Sequence, residues 1–196
     1  MTQYRTIEEL IDMVDELNRT ICHKILQDNR KLFEVARGST HNHQTWDGGY
    51  IDHVTDGMNF AVELYGTLFK IDRPIPFSLS DSLLVFFLHD IEKPWRIMIA
   101  ESDEVVNRPG LETKEQFREF RESKLAEYGL VLTDAQYNAL TYVEGEYKDY
   151  SSKRRVMNEL AGFCHIVDVY SARIAHDYPQ EGDPWAQNLG RVRIAK

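Results

Sequence analysis

The sequence predicts an all-α protein, a compact bundle of about six main helices. Apolar side chains recur at intervals of three and four residues in several segments, and some of these follow a Ser or Thr that can cap a helix. No segment alternates convincingly between apolar and polar residues, which is the pattern of a half-buried strand. A chain of 196 residues can bury one continuous core. We therefore expect a single domain spanning residues 1–196.

The first two predicted helices are separated by a polar loop. Thr6 and Glu9 have the spacing of a capping box, which starts a helix that continues to about residue 29. Helical spacing is lost over residues 33–49, where RGSTHNHQTWDGG has the composition of a loop. It returns over residues 50–69, and the segment DRPIP ends the second helix.

A short helix that is apolar on all sides marks the centre of the predicted fold. Ser80 can cap it, and it extends from Asp81 to about Asp90. Residues 100–112 form a loop. Residues 113–129 then form a charged amphipathic helix, whose Glu, Lys and Arg side chains we expect to make a solvated face.

Two further helices complete the bundle. Thr133 caps a short one that ends near residue 145, and Ser152 opens a long one that reaches about Ala175. Pro and Gly recur within residues 178–196, for which we predict an irregular tail.

Composition excludes several functional classes. With 23 Lys and Arg against 32 Asp and Glu, the chain has a formal net charge of −9, which argues against binding long nucleic acids or anionic membranes. Two cysteines are too few for a disulfide framework or a thiolate zinc site. The N-terminus lacks the features of a secretion signal, and no apolar stretch approaches the roughly 20 residues of a membrane span. We expect a cytoplasmic protein with a small-molecule partner.

Four side chains are candidates for a metal site: His53, His89, Asp90 and Asp168. Each stands among apolar residues, and a buried imidazole or carboxylate is costly unless it is paired. A divalent ion bound by two imidazoles and two carboxylates would satisfy all four, and this mixed donor set suits Mn, Fe, Co, Ni, Zn or Mg. His89 and Asp90 would point about 100° apart on a helix, so both reach one ion only if the helix ends or bends there. The structural alternative is four polar groups satisfied by the core itself.

The order of these residues resembles the signature of the HD-domain superfamily of metal-dependent phosphohydrolases: a histidine, a His-Asp doublet and a distant aspartate. LLVFFLHDIEKP is similar to the family's apolar helix that ends in His-Asp-x-Gly-Lys, and IVDVYSARI to its closing aspartate helix. HNHQTWDGGYIDHV resembles the Gly-Gly segment that precedes the first ligand in some members. The resemblance covers residues 40–176. Glu92 departs from it, because many members have glycine there.

The resemblance implies an HD-type bundle that cleaves a phosphate ester or anhydride of a small metabolite, preferably a nucleotide, with a metal-activated water. The scarcity of histidines after the doublet favours one metal ion over two. The implied catalytic residues are Asp90, Lys93 and Glu92, and the implied substrate-binding residues are Lys93, Arg96, His43, Trp46 and Arg154. For Lys93, Arg96 and Arg154 an ordinary surface role stays open, and His43 has the alternative of bonding within its loop.

Other functions also stay open at this point. They are an HD-type phosphodiesterase or 3′→5′ exonuclease, a di-iron oxygenase, and a nucleotide-binding module without turnover. The apolar faces of the first and last helices leave open a homo-oligomer as well.

Overall fold

The computed structural model describes residues 3–186, which are mostly helical, as predicted. In chain order the helices are α1 (Ile7–Ile11), α2 (Glu16–Asp28), α3 (Arg30–Val35), α4 (Gly49–Lys70), α5 (Leu79–Leu88), α6 (Glu92–Trp95), α7 (Lys114–Glu127), α8 (Asp134–Tyr142) and α9 (Glu159–Val169). Strands β1 (Ile97–Ile99) and β2 (Val105–Asn107) lie between α6 and α7. A 3₁₀ turn (Tyr147–Asp149) precedes α9, and a π-helical turn (Tyr170–Ile174) follows it.

The predicted capping box at Thr6 and the predicted cap at Thr133 are confirmed, and Thr113 forms a third capping box at the start of α7. In each, the threonine hydroxyl accepts a hydrogen bond from the backbone N–H three residues later, and the side-chain oxygen of that later residue accepts one from the threonine backbone N–H. An N-cap of this kind contributes about 1 kcal/mol to helix stability. The apolar helix α5 is capped by Ser78 rather than by the predicted Ser80. Ser80 instead accepts a 2.8 Å hydrogen bond from the backbone of Asp15.

The prediction of one continuous first helix is wrong. Helix α1 ends at Ile11, and α2 begins at Glu16 after a turn in which Met13 and Val14 bond three residues back. The helical spacing continues across the break because Val14 points into the same core as the helices on either side. Sequence periodicity reports which residues are buried and does not register a turn between them.

The long final helix is also shorter than predicted. It starts at Glu159 instead of near Ser152, because the side chain of Asn158 accepts a 2.7 Å hydrogen bond from Ala161 and forms its N-cap. At the other end it passes into the π-helical turn, so the helical path reaches Ile174, close to the predicted end.

A small antiparallel hairpin was missed. Its register pairs Ile97 with Asn107 and Ile99 with Val105, and the second strand lies within the predicted loop. Strands of three residues are too short to display a period of two. Residues 178–186 are irregular, as predicted, and the rest of the predicted tail, 187–196, lies outside the described residues.

Helices α4 and α5 lie at the centre of one continuous core. All side chains from Leu83 to Leu88 are buried, and α5 packs against α1, α4, α8 and α9. Gly57 of α4 allows the closest approach, because a Cβ atom there would stand 2.2 Å from the ring of Phe86. This contact fixes the two helices that carry the first candidate ligands. Within the described residues, no helix is long and apolar enough to cross a membrane.

Candidate metal centre

Three parts of the fold deliver His53, His89 and Asp168 to one interior point. His53 lies in α4, His89 directly follows α5, and Asp168 lies in the last turn of α9. Both histidines are buried, and the Asp168 side chain is 18% exposed. Helix α5 ends at Leu88, and His89 and Asp90 occupy the turn that follows it, in which His89 keeps helical dihedrals of φ −60° and ψ −38°.

The donor atoms have the spacing of ligands around one ion. The Nε2 atoms of His53 and His89 are 3.2 Å apart. Asp168 Oδ1 lies 3.4 Å from the first and 3.6 Å from the second. Ligand atoms at about 2.0–2.2 Å from a transition-metal ion stand roughly 3–3.5 Å from one another. The three side chains could hold a divalent cation with little movement.

Hydrogen bonds on the far side of each imidazole orient these donor atoms. Nδ1 of His89 donates to the carbonyl oxygen of Phe86 at 2.6 Å. Nδ1 of His53 lies 3.0 Å from the hydroxyl of Ser171, which can donate in turn to the His53 carbonyl at 3.4 Å. With Nδ1 protonated, Nε2 presents its lone pair to the interior, which is the usual arrangement of metal-binding histidines.

The charges at this point also favour a cation. Burial lowers the pKa of His53 to about 4. Burial acts in the same direction on His89, but Asp90 and Asp168 outweigh it and raise its pKa to about 10. Despite its burial, the pKa of Asp168 is lowered by the two histidines. The carboxylates thus favour positive charge on the histidine pair, which is the charge that a bound metal ion would supply.

Asp90 lies beside this group. Its Oδ2 atom is 3.3 Å from Nε2 of His89 and 3.7 Å from Nε2 of His53. The same oxygen contacts the ammonium group of Lys93. Burial acts to raise the pKa of Asp90, but Lys93 and His89 hold it well below its usual value. Asp90 is therefore ionised at the edge of the group and shared between the histidines and a lysine.

Two other predicted residues lie next to the centre. The His43 ring is 4.8 Å from the His53 ring, centroid to centroid, and its Nδ1 lies 2.9 Å from Gln44 Oε1. Glu92 is buried, and its Oε1 accepts a 2.7 Å bond from Arg96. Burial and Asp90 raise the pKa of Glu92.

Trp46 and Arg154 lie away from this centre, whereas Lys93 and Arg96 border it through Asp90 and Glu92. The indole N–H of Trp46 donates to Asp52 at 2.7 Å. Arg154 lines a cavity of about 610 Å³ formed by residues 146–162, whose lining includes none of the candidate ligands. Lys93 and Arg96 line another cavity of about 440 Å³ with the loop around Arg37 and Ser39. Arg96 also borders a third cavity, of about 250 Å³, together with His89.

Gln44, which the sequence analysis missed, fixes the loop that carries His43. Its side chain is fully buried and donates to the carbonyl oxygens of Ala175 at 2.9 Å and of Tyr178 at 3.2 Å. Gly49 allows α4 to begin against this loop, because a Cβ atom there would stand 1.9 Å from the Gln44 carbonyl oxygen. Gly49 therefore has a packing role against the loop that carries His43.

Ser171 was also missed, although its position in IVDVYSARI carried a signal. It follows Asp168 by three residues, so a helix places both on one face. No sequence signal marked Gln44, whose role depends on a contact with a segment more than 130 residues away.

A scan against protein-family models found no match, and searches of the curated proteins and of the solved structures found no match either.

Proposed function

We propose that this protein is a metal-dependent phosphohydrolase of the HD type that cleaves a phosphate ester or anhydride of a small metabolite. The first candidate substrate is a nucleotide. The observation that carries the proposal is the convergence of the His53 and His89 Nε2 atoms with Asp168 Oδ1. The order of these residues in the chain, with Asp90 after His89, is the feature that resembles the HD signature. Asp90 is proposed as the fourth ligand because its Oδ2 already faces both imidazoles.

A divalent ion at this point would supply a Lewis acid that lowers the pKa of water and polarises a phosphoryl oxygen. Two nitrogen and two oxygen donors suit Mn, Fe, Co, Ni, Zn or Mg. The protein would contribute the orientation of the ligands through the Phe86 carbonyl and the Ser171 hydroxyl.

The cationic and acidic groups beside the centre have proposed roles in binding and proton movement. Lys93 places an ammonium group beside Asp90, at the border of the 440 Å³ cavity, and is the first candidate for a phosphate contact. Glu92 lines the cavity that borders His89, and its Oε2 atom is buried without a hydrogen-bond partner among the described residues. We propose that Glu92 exchanges a proton with a bound substrate.

The test combines metal analysis of the purified protein with a hydrolysis screen of nucleoside mono-, di- and triphosphates in the presence of Mn, Co, Ni, Zn or Mg. We expect bound metal in a one-to-one ratio and release of phosphate, pyrophosphate or triphosphate. Asp168→Asn should lose both metal and turnover. Asp103→Asn is the matched control, because Asp103 is exposed and asparagine tolerates its positive φ of 62°.

The same screen separates the other functions. Cleavage of an oligonucleotide but not of mononucleotides would favour the phosphodiesterase or exonuclease. Two iron ions per chain with oxygen consumption would favour the oxygenase, and nucleotide affinity without any product would favour a binding module. A protein that carries no metal and shows no turnover with any of the five added metals would refute the proposal.

A further inference from the structure

The cavity of about 250 Å³ beside His89 combines features of an anion-binding site. It lies between α6, α7 and α8, and a guanidinium N–H of Arg121 in α7 donates to the carbonyl oxygen of His89 at 3.4 Å. His89, a candidate ligand, lines this cavity, so the cavity lies next to the candidate metal centre. It is smaller than the roughly 300–1,000 Å³ of most ligand pockets, so it would take part of a substrate.

The lining of this cavity is basic, although the chain as a whole is acidic. Its charged side chains are four cations and two carboxylates: Arg96, Lys114, Arg118, Arg121, Glu92 and Glu144. The whole chain has a net charge of −9, so this local excess of positive charge is opposite in sign to the overall balance. Three of the cations come from α7, where the sequence analysis expected only a solvated face. A local positive field of this kind attracts anions to a protein that otherwise repels them.

Two of the arginines have buried donors without acceptors. The Nε atoms of Arg96 and Arg121 are inaccessible to solvent and have no hydrogen-bond partner among the described residues. The Arg96 guanidinium lies 3.8 Å from the centroid of the Phe117 ring, and its other end is bonded to Glu92, so its orientation is fixed. A buried N–H without an acceptor is costly. Because these two Nε atoms are out of reach of solvent, an anion in the cavity would be bound through the terminal nitrogens of the arginines.

We propose that this cavity binds a second anionic group of the substrate, adjacent to the group at the candidate metal centre, with Arg121 as its principal contact. The substrate class is then a di- or triphosphate rather than a monophosphate. The guanidinium fork of arginine suits the oxygens of a phosphate. The part of this proposal that puts one phosphate group at the metal centre rests on the proposed function. The anion site itself is argued only from the cavity and its arginines.

A competing explanation is an ion pair within the cavity. Glu92 Oε2 is also buried without a partner among the described residues, and a small rotation could bring it to Arg121. In that case Arg121 would serve the fold alone. Binding measurements distinguish the two, because an ion pair within the protein gives no affinity for an added anion.

The experiment is a calorimetric titration of the metal-stripped full-length protein with inorganic pyrophosphate and, separately, with orthophosphate. We expect pyrophosphate to bind more tightly, and Arg121→Met to weaken it about tenfold or more, since a charge-assisted hydrogen bond is lost. Arg121→Lys should give an intermediate affinity, because it keeps the charge without the fork. Arg73→Met is the matched control: it removes the same charge from an exposed position that does not line this cavity.

An unchanged pyrophosphate affinity in Arg121→Met, or no pyrophosphate binding by the unaltered protein, overturns the inference. If Arg121→Met fails to fold, the affinity of Arg121→Lys decides in the same way. Pyrophosphate binding that depends on Arg121 in a protein without metal or turnover would refute the proposed function and leave the anion site standing. Turnover of a nucleoside triphosphate with equal kcat/KM in Arg121→Met and Arg73→Met would overturn the anion site and leave the proposed function standing.

Discussion

The Nε2 atoms of His53 and His89 stand 3.2 Å apart in the core, and each ring has its Nδ1 atom engaged by another part of the protein. Two imidazoles at this distance need something between them, either a proton or a metal ion. Because each ring is held by the hydrogen bond of its Nδ1 atom, neither ring can rotate away without losing that bond.

Metal binding should stabilise the fold. At a free metal concentration 100 times the Kd, linkage adds about 2.7 kcal/mol to the free energy of unfolding. For a chain of this length that corresponds to a rise in Tm of roughly 5–10 °C. Thermal denaturation with and without chelator measures it. His53→Ala should abolish the metal-dependent rise, whereas His41→Ala, at an exposed loop position, should retain it. An equal rise in both variants would place the metal elsewhere.

Ser171→Ala should weaken metal binding without removing a ligand. The serine hydroxyl is the partner of His53 Nδ1, and loss of such a partner typically lowers metal affinity 10- to 100-fold. Metal titration against a competing chelator gives the affinity. Ser152→Ala, at an exposed position, is the matched control. If both variants bind metal as tightly as the unaltered protein, Ser171 does not orient His53.

Gly57→Ala should destabilise the protein, because the new methyl group would overlap the Phe86 ring at 2.2 Å. Overpacking of this kind costs about 1–3 kcal/mol. Gly66→Ala in the same helix meets no atom within 4 Å. It should be neutral or should stabilise by up to about 1 kcal/mol, because alanine favours the helix. Urea denaturation of the two variants measures the difference, and equal stabilities would contradict the close approach of α4 and α5.

Asp56 should make stability fall as pH rises from about 4 to about 7. Burial raises its pKa in the folded protein to about 7, and Asp183 and Asp52 act in the same direction, while Tyr4 opposes them. The folded state then holds a proton that the unfolded chain has released, so each rise in pH within this window favours unfolding. The full shift corresponds to at most about 4 kcal/mol.

The measurement is the free energy of unfolding at a series of pH values for the unaltered protein and for Asp56→Asn. The variant should lose part of the decline between pH 4 and 7, since its amide does not titrate. Parallel curves for the two proteins would show that Asp56 has an ordinary pKa in the folded state.

Much of the fold follows from local sequence. The capping boxes at Thr6, Thr113 and Thr133 and the apolar character of α5 are properties of short segments, so the sequence predicts them. The break after Ile11 and the hairpin are different. Both sides of the break bury residues in one core, so the periodicity runs through it. The strands of the hairpin are defined by each other, because neither is long enough to show a pattern of its own.

The candidate site likewise contains residues that the sequence identifies and residues that it does not. His53, His89 and Asp168 are identifiable because polar side chains in apolar surroundings demand partners. The residues that orient or surround them depend on long-range contacts. The Gln44 side chain donates a hydrogen bond to the backbone after α9. Arg121 donates one to the His89 carbonyl from α7, a helix whose sequence pattern predicts a solvent-exposed face. Such roles become visible only when the segments are placed together.

Helix α5 is enclosed by four other helices and ends just before the histidine-aspartate doublet, so His89 and Asp90 follow one of the most protected segments of the molecule. Local fluctuations that open exposed loops should leave them undisturbed. The backbone amides of α5 should therefore exchange with deuterium only when the whole protein unfolds.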